Sequence, residues 1–138
     1  MNAKDMILIS KASMYGIKAA IYLSKQVQGS YIPISNISKE INVPFHYLTK
    51  ILQEMRKGNI IRSSKGIKGG VFLTKAPEDI TLYEIIYAIE NKNSFNKTNS
   101  EYFLEDVALD TSLQSIVANI QNYIKVILNN KTLDKLIN

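Results

Sequence analysis

The chain has no cysteine and a single histidine in 138 residues. Without thiols there can be no disulfide, zinc–thiolate site, thiol nucleophile or cysteine-held iron cluster. Long apolar runs are missing too. No stretch approaches the roughly 20 consecutive apolar residues of a membrane-spanning helix. The first residues carry Lys4 and Asp5 and no sustained apolar region, so no signal peptide is expected and the expected location is cytoplasmic. Acid is scarce in one half only. Residues 1–75 hold twelve Lys or Arg against three acids (Asp5, Glu40, Glu54), a net of +9, whereas residues 76–138 hold five Lys against nine acids, a net of −4. A basic half suits a polyanion, although a merely solvated basic face has the same composition.

What remains is ordinary for a folded protein. Apolar residues make up 46% and charged residues 21%, enough for one domain with a proper core and an accessory element. Catalysis finds no support. The lone His46 has no Ser, Cys or acid set beside it by spacing, and Lys65–Gly70 lacks the order of a phosphate-binding P-loop. No enzyme activity is expected.

Helical spacing organises the first half. Apolar residues at Ile9, Ala12, Tyr15, Ala19, Leu23 and Val27 predict one amphipathic helix capped by Ser10 and ended by Gly29. A second helix is expected over Ser35–Ile41, capped by Ser35 or Ser38, with Ile34, Ile37 and Ile41 buried. Pro44 suits the first turn of a third helix reaching Lys57. Its apolar side is Phe45, Leu48, Ile51, Leu52 and Met55. Its outward side is His46, Thr49, Lys50, Gln53 and Lys57, and Gly58-Asn59 ends it. Two short helices joined by a tight turn make a helix-turn-helix unit.

Ile60-Ile61 and Val71-Phe72-Leu73 are short β-type runs flanking a basic, glycine-bearing tip. Residues 44–57 thus read as a recognition helix and 62–72 as a wing. Thr81 then caps a fourth helix, with Leu82, Ile85, Ile86 and Ile89 as its buried set. Polar residues 91–100 read as a loop, and a long helix follows from about Glu101 or Val107 to Asn129. Leu109, Leu113, Ile116, Ile120, Tyr123 and Ile127 alternate steps of four and three along it, the seam a helix–helix dimer interface requires. The same stripe also serves a helix packed only on its own core. Thr132 should cap a last short turn. The architecture expected is mainly α with a small β-hairpin: a winged helix-turn-helix domain over 1–90, a loop over 91–103, and a dimerisation helix with a C-terminal turn over 104–138.

In order and spacing, Tyr15-Gly16, Tyr47-Leu48, Ile51-Leu52, Gly58-Asn59-Ile60-Ile61, Ser63-Ser64-Lys65-Gly66, Gly69-Gly70, Thr81–Glu90 and Leu128–Leu133 resemble the Rrf-type family of bacterial winged helix-turn-helix regulators, that of IscR, NsrR and CymR. The resemblance covers nearly the whole chain. It implies a homodimeric, sequence-specific regulator, most often a repressor, that reads a palindromic operator on double-stranded DNA. His46 and Thr49 would lie nearest the base edges, with Pro44 opening their helix and Tyr47 donating to a phosphate. Lys50 matches guanine and Gln53 adenine, while Thr49 can hydrogen-bond or meet a thymine methyl. Lys65, Gly66, Lys68 and Gly69 would carry the wing into the neighbouring minor groove, and Ser10 and Lys11 would touch phosphates.

Three positions depart from the family pattern. Ala12 and Met14 stand where basic residues are common, and Val71 stands where Tyr is common. More consequentially, members that sense iron, nitric oxide or redox state hold a cluster through three cysteines in the loop before the long helix, and residues 91–103 contain none. No metal or cofactor is expected. Glu101, Glu105, Asp106 and Asp110 read as solvated charge at a favourable helix end. The signal is unnamed, and a small-molecule or a protein effector both fit. Two other readings share the composition: a winged module that controls a protein partner, and a nonspecific nucleic-acid binder.

Overall fold

The computed structural model describes residues 9–90 and 111–137. Five helices and one two-stranded hairpin follow in order: α1 (Lys11–Ser24), α2 (Ile34–Ile41), α3 (Phe45–Lys57), β1 (Ile61–Ser64), β2 (Gly70–Leu73), α4 (Leu82–Glu90) and α5 (Thr111–Asn129). The architecture is a winged helix-turn-helix.

Ser10 caps α1, its hydroxyl accepting the Ser13 N–H at 3.1 Å. The helix stops at Ser24, short of the expected Val27, which is 77% exposed. Val27 continues the apolar spacing without sharing the buried face. The helix-turn-helix also starts differently from expectation. Pro33, not Ser35 or Ser38, caps α2, and Pro44 is the cap of α3 rather than a residue of its first turn. The cause is the same at both. A proline ahead of a helix has a fixed φ and a free carbonyl, and Pro44 O accepts from Leu48 N at 2.9 Å. Between the two helices, Asn42 takes the left-handed conformation, φ 56° and ψ 54°, that an Asn tolerates better than most residues. Ser38 is spent on this turn, its hydroxyl donating to Val43 O at 2.5 Å.

A second left-handed residue ends α3, and it is Asn59 (φ 62°) rather than Gly58. Gly58 is needed for another reason: a Cβ there would sit 2.7 Å from Ala88 Cβ on α4. Close packing of α3 on α4 therefore fixes the residue, and the turn falls to its neighbour.

Antiparallel pairing runs from Ile61↔Leu73 to Ser64↔Gly70. Ile32 extends the hairpin by a bridge, exchanging two 2.9 Å backbone hydrogen bonds with Val71. The wing is thereby tied to the segment leading into α2. A side chain at Gly70 would collide with the Ile32 carbonyl, so the glycine permits this tie.

α4 opens on a capping box. Thr81 Oγ1 accepts from Glu84 N and Glu84 Oε2 from Thr81 N, both at 3.1 Å. Ile85, Ile86 and Ile89 are buried as expected, but Leu82 is only half-buried. After α5, residues 131–133 return beside α4. Leu82 N donates to Lys131 O and Leu133 N to Ile80 O, and Leu133 is fully enclosed in the core of the winged unit. Thr132 caps the closing 3-10 turn (Leu133–Leu136), but its hydroxyl bonds the Asp134 carboxylate rather than the turn's backbone.

Candidate nucleic-acid interface

α3 buries Leu48, Ile51, Leu52 and Met55 at 0–2% exposure. That burial turns His46, Lys50 and Gln53 to the surface, one helical face against the other. Phe45, expected in the core, is instead 45% exposed. It is the first residue of α3, at the end of the apolar stripe rather than within it.

Between α3 and the wing lies an open groove of about 750 Å³. Phe45, Thr49, Gln53 and Arg56 line its helix side, Ser63–Ile67 and Gly69 its wing side, and Pro33–Ser35 its end. Of the expected site residues the groove gathers Thr49, Gln53, Lys65, Gly66 and Gly69. It does not include Ser10, Lys11, Pro44, His46, Tyr47, Lys50 or Lys68. Among these, Lys11, Pro44, His46, Lys50 and Lys68 are exposed.

Lys11 and Tyr47 are joined through a third residue. Lys11 Nζ stands 5.7 Å from the Tyr15 ring centroid, and Tyr15 meets Tyr47 edge-on at 5.8 Å. This chain links the start of α1 to the start of α3. Burial pushes the Tyr47 phenol above its ordinary range, the nearby Lys11 ammonium pulls the other way, and Tyr15 and Glu90 add to the rise. Tyr47 is therefore a neutral O–H group at any physiological pH.

Hydroxyls elsewhere are more constrained than their residue types suggest. Thr49 Oγ1 donates to Phe45 O at 2.8 Å, which leaves it only lone pairs and a methyl to offer. Ser10 Oγ donates to Glu90 Oε1, as does Ser10 N at 3.1 Å.

Arg56, Phe45 and Ile67 also line this groove, beyond the polar and glycine positions expected to carry the site. Arg56 was legible, since it lies seven residues after Thr49 and three after Gln53. Lys57, placed instead on the outward face, pairs with Glu54 at 3.4 Å. Ile67 stands fully exposed at the wing tip, between Gly66 and Lys68.

The family model described as "Iron-dependent Transcriptional regulator", Rrf2, matches residues 9–138. The chain belongs to the Rrf2 family. It is 29% identical over 77 residues to the HTH-type transcriptional regulator NsrR of Halalkalibacterium halodurans, covering 56% of this chain and 53% of that protein. It is 27% identical over 128 residues to CymR of Bacillus subtilis, covering 93% and 88%. The crystal structure of the oxidised form of Staphylococcus aureus CymR superposes with a TM-score of 0.70 at 25% identity, covering 94% of this chain and 95% of that one. The chain spans about half the length of NsrR and of several other curated relatives it matches.

The iron in the Rrf2 description does not fit this chain's donors. A cluster is held by thiolates, and the chain has none. Its one imidazole, His46, is exposed on α3 beside Phe45. Among the described residues no three His, Asp or Glu side chains come together as a metal site. Residues 91–103, expected as a loop and free of cysteine, and Leu109 lie outside the described residues.

Proposed function

We propose that this Rrf2 protein is a sequence-specific DNA-binding regulator that represses transcription by occupying a palindromic operator as a homodimer. One observation carries the reading: the exposed face of α3 and the basic wing converge on a single open groove. An α-helix fits the major groove of B-DNA, and a wing beside it reaches the flanking backbone or minor groove. In this reading Thr49, Lys50, Gln53 and His46 face bases, Pro44 opens their helix, and Tyr47 and Lys11 face phosphates. Ser10, whose N–H and O–H are both given to Glu90, instead holds the start of α1 in place. Lys65 and Lys68 approach the neighbouring groove across Gly66 and Gly69. Backbone N–H groups and ammonium groups position the protein, while the α3 side chains specify sequence.

The homodimer rests on α5. Ile116, Ile120, Tyr123 and Ile127 are 55%, 51%, 69% and 43% exposed along one face, with Leu113 in the same series. Val117, Ile124 and Leu128 are the half-buried ones on the helix. An apolar stripe of this length left in water is the surface a second copy covers. No helix among the described residues is long and apolar enough to cross a membrane, and the protein would work beside the chromosome in the cytoplasm. Its sensor is not a thiolate-held cluster. A small-molecule or protein effector would act on it.

A binding-site selection with the purified protein, followed by titrations of the selected duplex, tests the reading. Thr49→Ala should relax preference at one base position. Lys65→Ala should weaken selected and random duplexes alike and lower the salt slope by about one. A ratio of specific to nonspecific affinity near one at physiological salt would identify a nonspecific polyanion binder instead.

A further inference from the structure

Phe45 is the member of the α3 apolar series that folding leaves in water. Leu48, Ile51, Leu52 and Met55 are 0–2% exposed, while Phe45, one turn before Leu48, is 45% exposed. It is the first residue of α3, and the N-terminal residues of a recognition helix are the ones that meet base edges. Its ring packs edge-on against His46 at a centroid distance of 5.5 Å. Thr49, four residues on, has given its hydroxyl hydrogen to the Phe45 carbonyl. Side by side in the groove, the two residues offer a ring, a methyl and an acceptor, with no hydrogen to donate. Donors come from Gln53 and Arg56 further along the same groove wall.

An apolar ring among hydrogen-bonding side chains has one apolar complement in the major groove, the 5-methyl group of thymine. The geometry points to Phe45 as a specificity-determining residue that packs its ring against a thymine methyl in each half-site. This rests on the DNA-binding reading above and adds to the thymine contact open to the Thr49 methyl a larger apolar surface, the Phe45 ring, at the start of the helix. A ring that merely roofed the apolar floor of the groove, Leu52, Ile61 and Val71, would affect all duplexes equally.

The test replaces each thymine of the selected operator in turn by deoxyuridine, which removes the methyl and keeps the base pair. With the full chain, one thymine per half-site should show about a fourfold loss of affinity, the value of one buried methyl group. Phe45→Ala should bind the thymine operator more weakly and show no difference between thymine and uracil there. Phe45→Leu should keep part of the difference, and it carries the same comparison where thermal melting shows Phe45→Ala to be unfolded. The inference is overturned if no position has a uracil penalty that depends on residue 45, or if the Phe45 variants weaken selected and random duplexes to the same degree. Those results leave DNA binding intact. Failure to select any operator would instead defeat the DNA-binding reading, and this inference with it.

Discussion

Glu90 shows how much one side chain can hold at long range. The residue is 5% exposed, and its Oε1 accepts from Ser10 N, Ser10 Oγ and Ser13 Oγ, the last at 2.6 Å. A carboxylate at the end of α4 thus fixes the first turn of α1, which carries Lys11. Charged acceptors make stronger hydrogen bonds than neutral ones, and Ser13 is itself fully buried. Glu90→Ala would strand that hydroxyl, so urea denaturation should report a loss of about 1–3 kcal/mol. Tyr47, on the facing helix, makes a prediction in pH. Burial raises its folded-state value above 10.0, so the folded form keeps the proton longer than the unfolded form does. The associated stability is complete below pH 10 and is lost as pH rises through the folded value. An ultraviolet titration should find one of the eight tyrosines ionising late, and Tyr47→Phe should remove that step and flatten the alkaline decline.

At the scale of elements, the legible parts were those with a local cause. Ser10 at the start of α1, Thr81 as the cap of α4 and the 3/4 spacing of α3 all act within a turn or two of their own position, and each is readable as such. Phe45 keeps that spacing and is still 45% exposed, because periodicity marks the face of a helix and not where along it the neighbouring core ends. Glu90 was unreadable for a different reason, since its partners lie 77 and 80 residues away. Gly58 and Gly70 fell between these cases. Both were visible as turn residues, but the contacts that require them belong to α4 and to Ile32. The wing gives the clearest test of such a requirement. Gly70→Ala drives a methyl into the Ile32 carbonyl and should cost about 1–3 kcal/mol, as overpacking does. Amide exchange should rise at Ile32 and Val71, whose paired hydrogen bonds hold the wing to the helix-turn-helix. If those two amides stay protected, the wing is anchored elsewhere.

At the scale of the whole molecule, one winged unit has a single groove, while a palindrome needs two held at a fixed spacing. In the homodimer proposed above, α5 would fix that spacing. Its last turn leads directly to Lys131 and Leu133, which are hydrogen-bonded to Leu82 and Ile80 beside α4, and Lys125 Nζ lies 5.4 Å from the centre of the Tyr83 ring on α4. Whatever covers the outer stripe of α5 is therefore connected to α4, and through Glu90 to the start of α1. Replacing Ile116 and Ile120 together by Glu separates assembly from folding, because both side chains are more than half exposed in the single chain. Thermal melting at high dilution should change little. Sedimentation should show a monomer in place of a dimer, since two buried charges per copy would face their own equivalents across the seam. Operator affinity should fall by about 100-fold or more as the two half-sites lose their shared effective concentration, while the weak affinity for random duplex declines far less. A variant that stays dimeric, or a monomer that holds the full operator undiminished, would show that α5 does not set the pairing.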